Sequence, residues 1–107
     1  MIENSVKTLF REAMKSFREN RLDEAISHLE KALEQDPSFV DGMEALGQFY
    51  FQAQRLDDAI RVTQKFCALA PDAVMAHTNL SRLYQKKGMI KEAEEELARA
   101  RLLSAKK

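Results

Sequence analysis

The chain has 107 residues, about one domain's worth, and its 45% apolar and 32% charged residues give a globular rather than a disordered balance. Lysine plus arginine equals aspartate plus glutamate at 17 each, so the basic excess that a phosphate-binding surface needs is missing and nucleic acid is not an expected partner. No apolar run approaches the ~20 residues that span a bilayer, Met1-Ile2-Glu3-Asn4-Ser5 lacks the basic-then-apolar pattern of a secretory leader, and the single cysteine, Cys67, has no internal disulfide partner, which together favour a reducing, cytoplasmic setting without membrane association.

Three glycines and two prolines leave little material for sharp turns, and Ala, Leu, Glu, Lys, Arg and Gln, the good helix formers, dominate. The first predicted helix covers about 5–19. Its apolar residues Val6, Leu9, Phe10, Ala13, Met14 and Phe17 follow helical spacing, and Asn4 or Ser5 caps its start. A turn at Asn20 leads to a second helix over about 22–35, opening with Asp23-Glu24, where negative charge meets the positive end of the helix dipole. Pro37 cannot continue that helix and begins a link. A third helix is predicted over about 39–53, a turn at Gln54, and a fourth over about 56–69 that opens with Asp57-Asp58. Pro71 begins the next link, followed by helices over about 73–87 and 90–103. Gly88 between them suits a left-handed residue, a conformation that Asn20 also tolerates.

Shifting the chain by 34 residues lays it on itself. Ala25, Ala59 and Ala93 share a column, as do Leu22, Leu56 and Ile90, Val6, Val40 and Val74, and Lys31, Lys65 and Arg99. Pro37 and Pro71 match, with Ala105 in the third place. The chain therefore divides into repeats at about 6–39, 40–73 and 74–107 within one domain, 1–107. The alanine column is small so that two helices can approach, and Ala13, Gly47 and Ser81 are its small partners on the first helix of each repeat.

These columns resemble the tetratricopeptide repeat. Repeat 2 reads Met43-x-x-Leu46-Gly47-x-x-Tyr50, then Ala59 and Pro71; repeat 3 reads His77-x-x-Leu80-Ser81-x-x-Tyr84, then Ala93; the first helix of repeat 1 departs most, with Leu9, Glu12, Ala13 and Ser16. The resemblance implies an all-α fold, a right-handed α–α superhelix (solenoid) of three helix-turn-helix repeats and six helices. It implies a protein-interaction scaffold rather than an enzyme, with a concave groove that takes a peptide or helix of another protein. Carried over by column, the groove draws Lys7, Phe10, Arg11, Met14 and Phe17 from repeat 1, Glu44, Gln48 and Phe51 from repeat 2, and Met75, Asn79 and Arg82 from repeat 3. Members that bind chaperone C-termini hold the carboxylate with a Lys, Asn and Arg clamp. Those columns here are Phe10, Met14, Ala45, Met75 and Asn79, so chaperone-tail binding is not expected. The groove instead offers an apolar stripe, Phe10, Met14, Phe17, Phe51 and Met75, each anchor worth ~1.5–3 kcal/mol on burial. A second copy burying the same stripe, giving a homo-oligomer or homodimer, is the alternative.

The ends of the array carry polar residues where internal repeats are apolar. Glu94 and Arg101 stand in the columns of Ile26, Ile60, Leu33 and Cys67, and Thr8 and Lys15 in those of Gly42, Ala76, Phe49 and Leu83. Such faces suit terminal repeats, so three repeats are read as a complete array, with the run Glu92, Glu94, Glu95 and Glu96 beside Arg99 and Arg101 solvating the last helix. No metal-ligand spacing, phosphate loop or nucleophile elbow occurs, so no catalytic, cofactor or metal residue is assigned. His28 and His77 lie on helices too far apart to share a site. Cys67 should point toward repeat 3 and approach His77, but a buried thiol ordinarily serves as a small apolar residue rather than half of a catalytic dyad.

Overall fold

A computed structural model describes residues 5–106, which form six α-helices and no strand. The helices are α1 (Val6–Arg18), α2 (Leu22–Gln35), α3 (Val40–Gln52), α4 (Leu56–Leu69), α5 (Val74–Lys87) and α6 (Ile90–Ala105). Helix α6 runs past the expected end because Ala105 stands where Pro71 stops its counterpart, and alanine continues a helix that proline cannot. Ser5 caps α1, its hydroxyl accepting from the Thr8 N–H at 3.2 Å, while Asn4 lies outside the described residues. No helix among the described residues is long and apolar enough to cross a membrane.

The same turn joins the two helices of every repeat. Asn20, Gln54 and Gly88 have φ of 63°, 62° and 86°. Around them the N–H of Arg21, Arg55 and Met89 donates to the carbonyls of Ser16, Tyr50 and Tyr84, each at 2.8 Å. The N–H groups of Asn20, Gln54 and Gly88 donate to Phe17, Phe51 and Gln85. These paired bonds form the Schellman arrangement, which satisfies carbonyls that a helix end leaves open. Only the third repeat places glycine, the residue without a steric penalty, at the left-handed position.

Each helix packs chiefly on its neighbours in the chain, giving an elongated stack of 43 × 28 × 20 Å. The pairing within each repeat rests on the small columns: Ala13 and Ala25 are fully buried, as is Ala59, and Ser81 donates its hydroxyl to the Ala93 carbonyl at 2.8 Å. A Cβ on Gly47 would stand 2.8 Å from Thr63 Oγ1, so α3 and α4 meet with no room for a side chain there. Between repeats, one hydrogen bond recurs at the repeat period. Tyr50 donates to Glu30, and Gln64 donates to the Tyr84 hydroxyl at 2.9 Å. Burial and the bond to Glu30 push the Tyr50 phenol well above its ordinary pKa, so it stays a donor.

The paired carboxylates that open α2 and α4 do not cap them: neither helix has a side-chain cap hydrogen bond. Asp23, Glu24, Asp57 and Asp58 lie one or two residues inside the first turn, past the capping position, which Arg21 and Arg55 occupy. They still favour the helix dipole, and they also make ion pairs. Asp58 takes Arg55 Nε at 2.9 Å and Arg61, and although partial burial acts the other way, these partners hold its carboxyl below the usual range.

Two expectations follow. Ala59→Leu forces extra volume into the α3–α4 contact and should lower unfolding free energy by about 1–3 kcal/mol in urea titration; an unchanged midpoint would show that the small column is not what sets helix approach. Gln54→Gly relieves a non-glycine left-handed residue on an exposed turn and should raise stability by about 0.5–1 kcal/mol; a loss of stability would show that the Gln54 side chain contributes more than its strain.

Candidate peptide-binding groove

Helices α3 and α5 both pack on α4 and face one another across a hollow. Between them the structure places a cavity of about 260 Å³ lined by Glu44, Gly47, Gln48, Phe51, Asn79 and Arg82, with Thr63 and Leu83 in its wall. A wider, shallower depression continues from it past Asp72, Val74, Met75 and Thr78 to Leu103 of α6. Because Gly47 has no side chain, Thr63, which belongs to the second helix of its repeat, closes against the α3 backbone and forms part of the cavity wall. At about 260 Å³ it falls below the ~300–1,000 Å³ typical of small-molecule sites, and suits one inserted side chain better than a whole metabolite.

Of the sequence-expected groove residues, Glu44, Gln48, Phe51, Asn79 and Arg82 gather around this cavity, and Met75 joins the adjoining depression. Those from α1 do not. Phe10 packs edge-on against Phe39 with ring centroids 5.5 Å apart, Phe17 stacks on Phe49 at 4.6 Å, and Met14 leans on the core. These three side chains are half-buried and line neither hollow, while Lys7 and Arg11 stand exposed beside them. The continuous apolar stripe is therefore broken at repeat 1, because Phe10 and Phe17 find aromatic partners in Phe39, just before α3, and Phe49 on α3. Phe51 and Met75 remain open, at 37% and 52% exposure. Thr63, Leu83 and Leu103 were not among the expected groove residues. The small-residue column at Gly47 was the one available signal for Thr63, since a position without a side chain lets the facing helix come close.

The side chains of Glu44, Gln48, Asn79 and Arg82 make no hydrogen bond or ion pair with any described residue. Four polar side chains without partners around an apolar notch of Phe51 and Leu83 offer both halves of peptide recognition: groups for a peptide backbone and charges, and a pocket for an apolar side chain.

A second polar group lies at the seam between repeats 2 and 3. His77 is 6% exposed, with Nδ1 2.8 Å from Glu96 Oε1 and Nε2 2.8 Å from the Pro71 carbonyl oxygen. A carbonyl only accepts, so Nε2 carries a hydrogen and Nδ1 faces the carboxylate. Glu96, whose side chain is 12% exposed, also pairs with Arg99. It is thus not part of the solvated run expected for α6: it turns inward because His77 gives it a buried partner. Cys67 comes within 4.8 Å of both His77 and Glu96, the approach that the repeat columns implied. Burial, and then the Glu96 carboxylate, push the Cys67 thiol up to about 11, the opposite of what a nucleophilic cysteine requires.

A stack of three helix pairs with a polar and apolar notch on its first-helix face defines a helical-repeat scaffold for protein–protein interaction. The comparisons with known proteins agree. Tetratricopeptide-repeat family models match residues 16–66 and 76–106, and the chain belongs to that family, whose members are generally non-enzymatic interaction modules. No curated protein matches the chain. Among solved structures, a crystal structure of MamA superposes with a TM-score of 0.91 at 22% identity, covering 96% of this chain and 60% of that one. A further MamA structure, MSR-1 C2, gives 0.86 at 21% identity over 98% and 60%. The second tetratricopeptide domain of Spaghetti (RPAP3), solved with an HSP90 peptide, gives 0.84 at 15% identity over 92% of each chain. At these identities the likeness is one of fold, and the chain spans about 60% of the length of those MamA chains.

The buried thiol allows a direct check. With its pKa near 11, Cys67 should react with iodoacetamide at neutral pH at least about 10-fold more slowly than a free cysteine, its rate climbing into the alkaline range. Fast alkylation at neutral pH would restore the Cys67–His77 dyad as a serious reading.

Proposed function

We propose that the α3–α5 face binds an extended peptide or a helix of a partner protein. One apolar side chain of the ligand enters the notch over Gly47 and Thr63, against Phe51 and Leu83. Gln48 and Asn79 bond its backbone, and Glu44 and Arg82 read charges on either side. The observation that carries this reading is the set of unpartnered polar side chains around that notch. Such groups are free of competing partners within the chain, and each neutral hydrogen bond to a ligand, made in exchange for one to water, is worth about 0.5–1.5 kcal/mol. The partner is not a chaperone tail, because Phe10, Met14, Ala45 and Met75 supply no cationic donors where a carboxylate would sit. The lone thiol, Cys67, supports a reducing, cytoplasmic setting for this role. A homodimer through the expected stripe is the weaker reading, since Phe10, Met14 and Phe17 are already half-buried within one chain.

Peptides selected on the purified protein from a random display library provide the test. Asn79→Ala and Phe51→Ser should each weaken the selected peptides by about 3- to 10-fold without moving the unfolding midpoint, and Lys7→Ala should leave binding unchanged. Binding that survives both groove changes would sink the assignment, and concentration-dependent dimerisation in light scattering, lost in Phe51→Ser, would replace it with self-association.

A further inference from the structure

The repeat supplies its own control for the seam between repeats 2 and 3. At the seam between repeats 1 and 2, the positions equivalent to Cys67, His77 and Glu96 are Leu33, Met43 and Val62, all apolar and packed in the core. The fold therefore needs nothing but hydrocarbon there. At the second seam all three are replaced together by residues with metal-ligating atoms, one each from α4, α5 and α6. Their Sγ, imidazole nitrogen and carboxylate oxygen all lie within 4.8 Å of one another.

The geometry points to a divalent transition-metal site of the zinc class, held by Cys67 Sγ, His77 Nδ1 and a Glu96 carboxylate oxygen. A mixed thiolate, imidazole and carboxylate set suits zinc, and three protein ligands leave a fourth tetrahedral position for water. Bonds of roughly 2.0–2.3 Å put tetrahedral ligand atoms roughly 3.3–3.7 Å apart. The 2.8 Å contact between Nδ1 and Glu96 must open slightly and Cys67 must close slightly, both within the reach of side-chain rotation. The outer partners are in place as well. The Nε2–H bond to Pro71 holds the imidazole in the tautomer that aims Nδ1 at the site, and Arg99 holds the other carboxylate oxygen. Binding sends the thiol proton to solvent. The resulting group, one thiolate, one carboxylate and a doubly charged cation, is neutral overall, as a half-buried seam requires. The ion would cross-link α4 to α5 and α6, tying the last repeat to the array.

Cobalt(II) titration of the full chain tests this directly. One equivalent should give a thiolate-to-cobalt charge-transfer band and tetrahedral visible bands, and zinc should abolish both. Cys67→Ser should remove the charge-transfer band, and Cys67→Ser and Glu96→Gln should each weaken zinc by at least about 10- to 100-fold in competition with a chelating dye. In the unmodified chain, stoichiometric zinc should slow iodoacetamide alkylation of Cys67 further, a readout that needs no variant. Unchanged alkylation with zinc present, or zinc affinity unaltered in folded Cys67→Ser, would overturn the site and leave the three residues as a hydrogen-bonded cluster.

Discussion

The close approach of paired helices at the small columns governs everything else in this molecule. Ala13, Ala25 and Ala59 are fully buried, Thr63 closes on the backbone of α3 at Gly47, and Ser81 bonds the Ala93 carbonyl, so the two helices of each repeat approach closely at small residues. Larger residues, Leu29, Met43, Leu46 and Leu80 among them, then fill the space around those contacts and bury the apolar faces that no single helix could shield. Because every repeat makes the same contact, the array grows in one direction and each helix depends chiefly on its neighbours in sequence.

That geometry also creates the candidate binding face. First helices of successive repeats end up adjacent, and what they show depends on how far their outward residues are drawn into packing. At repeat 1 the rings of Phe10 and Phe17 reach Phe39 and Phe49 and are drawn in. Between repeats 2 and 3, Phe51 and Met75 have no such aromatic partner among the described residues, and Thr63 lines the cavity beside Gly47. The notch and its polar rim thus lie where outward residues of two first helices are not drawn into packing.

The two seams show how tolerant the arrangement is. Both are tied by the recurring bond between a tyrosine and the residue twenty positions before it, Tyr50 with Glu30 and Tyr84 with Gln64. Beside it, one seam is hydrocarbon while the other holds a buried histidine, a carboxylate and a thiol that bond or touch one another. Buried polar groups persist when mutually satisfied, and no buried side-chain nitrogen or oxygen among the described residues lacks a partner.

Period and local chemistry alone determined the six helices, the turns at Asn20, Gln54 and Gly88, the left-handed fit of Gly88 and Asn20, and the small columns. Each of these depends on residues a few positions apart or on a spacing repeated along the chain. The columns also placed Cys67 near His77, because a stacked repeat turns sequence position into depth. Tertiary structure decided which first-helix side chains stay open, that Thr63 lines the groove, and that Glu96 turns inward to His77 rather than to water. Those outcomes depend on which atom lies opposite across a helix pair, and a one-dimensional pattern of apolar and charged residues is the same whether a glutamate meets solvent or a buried imidazole.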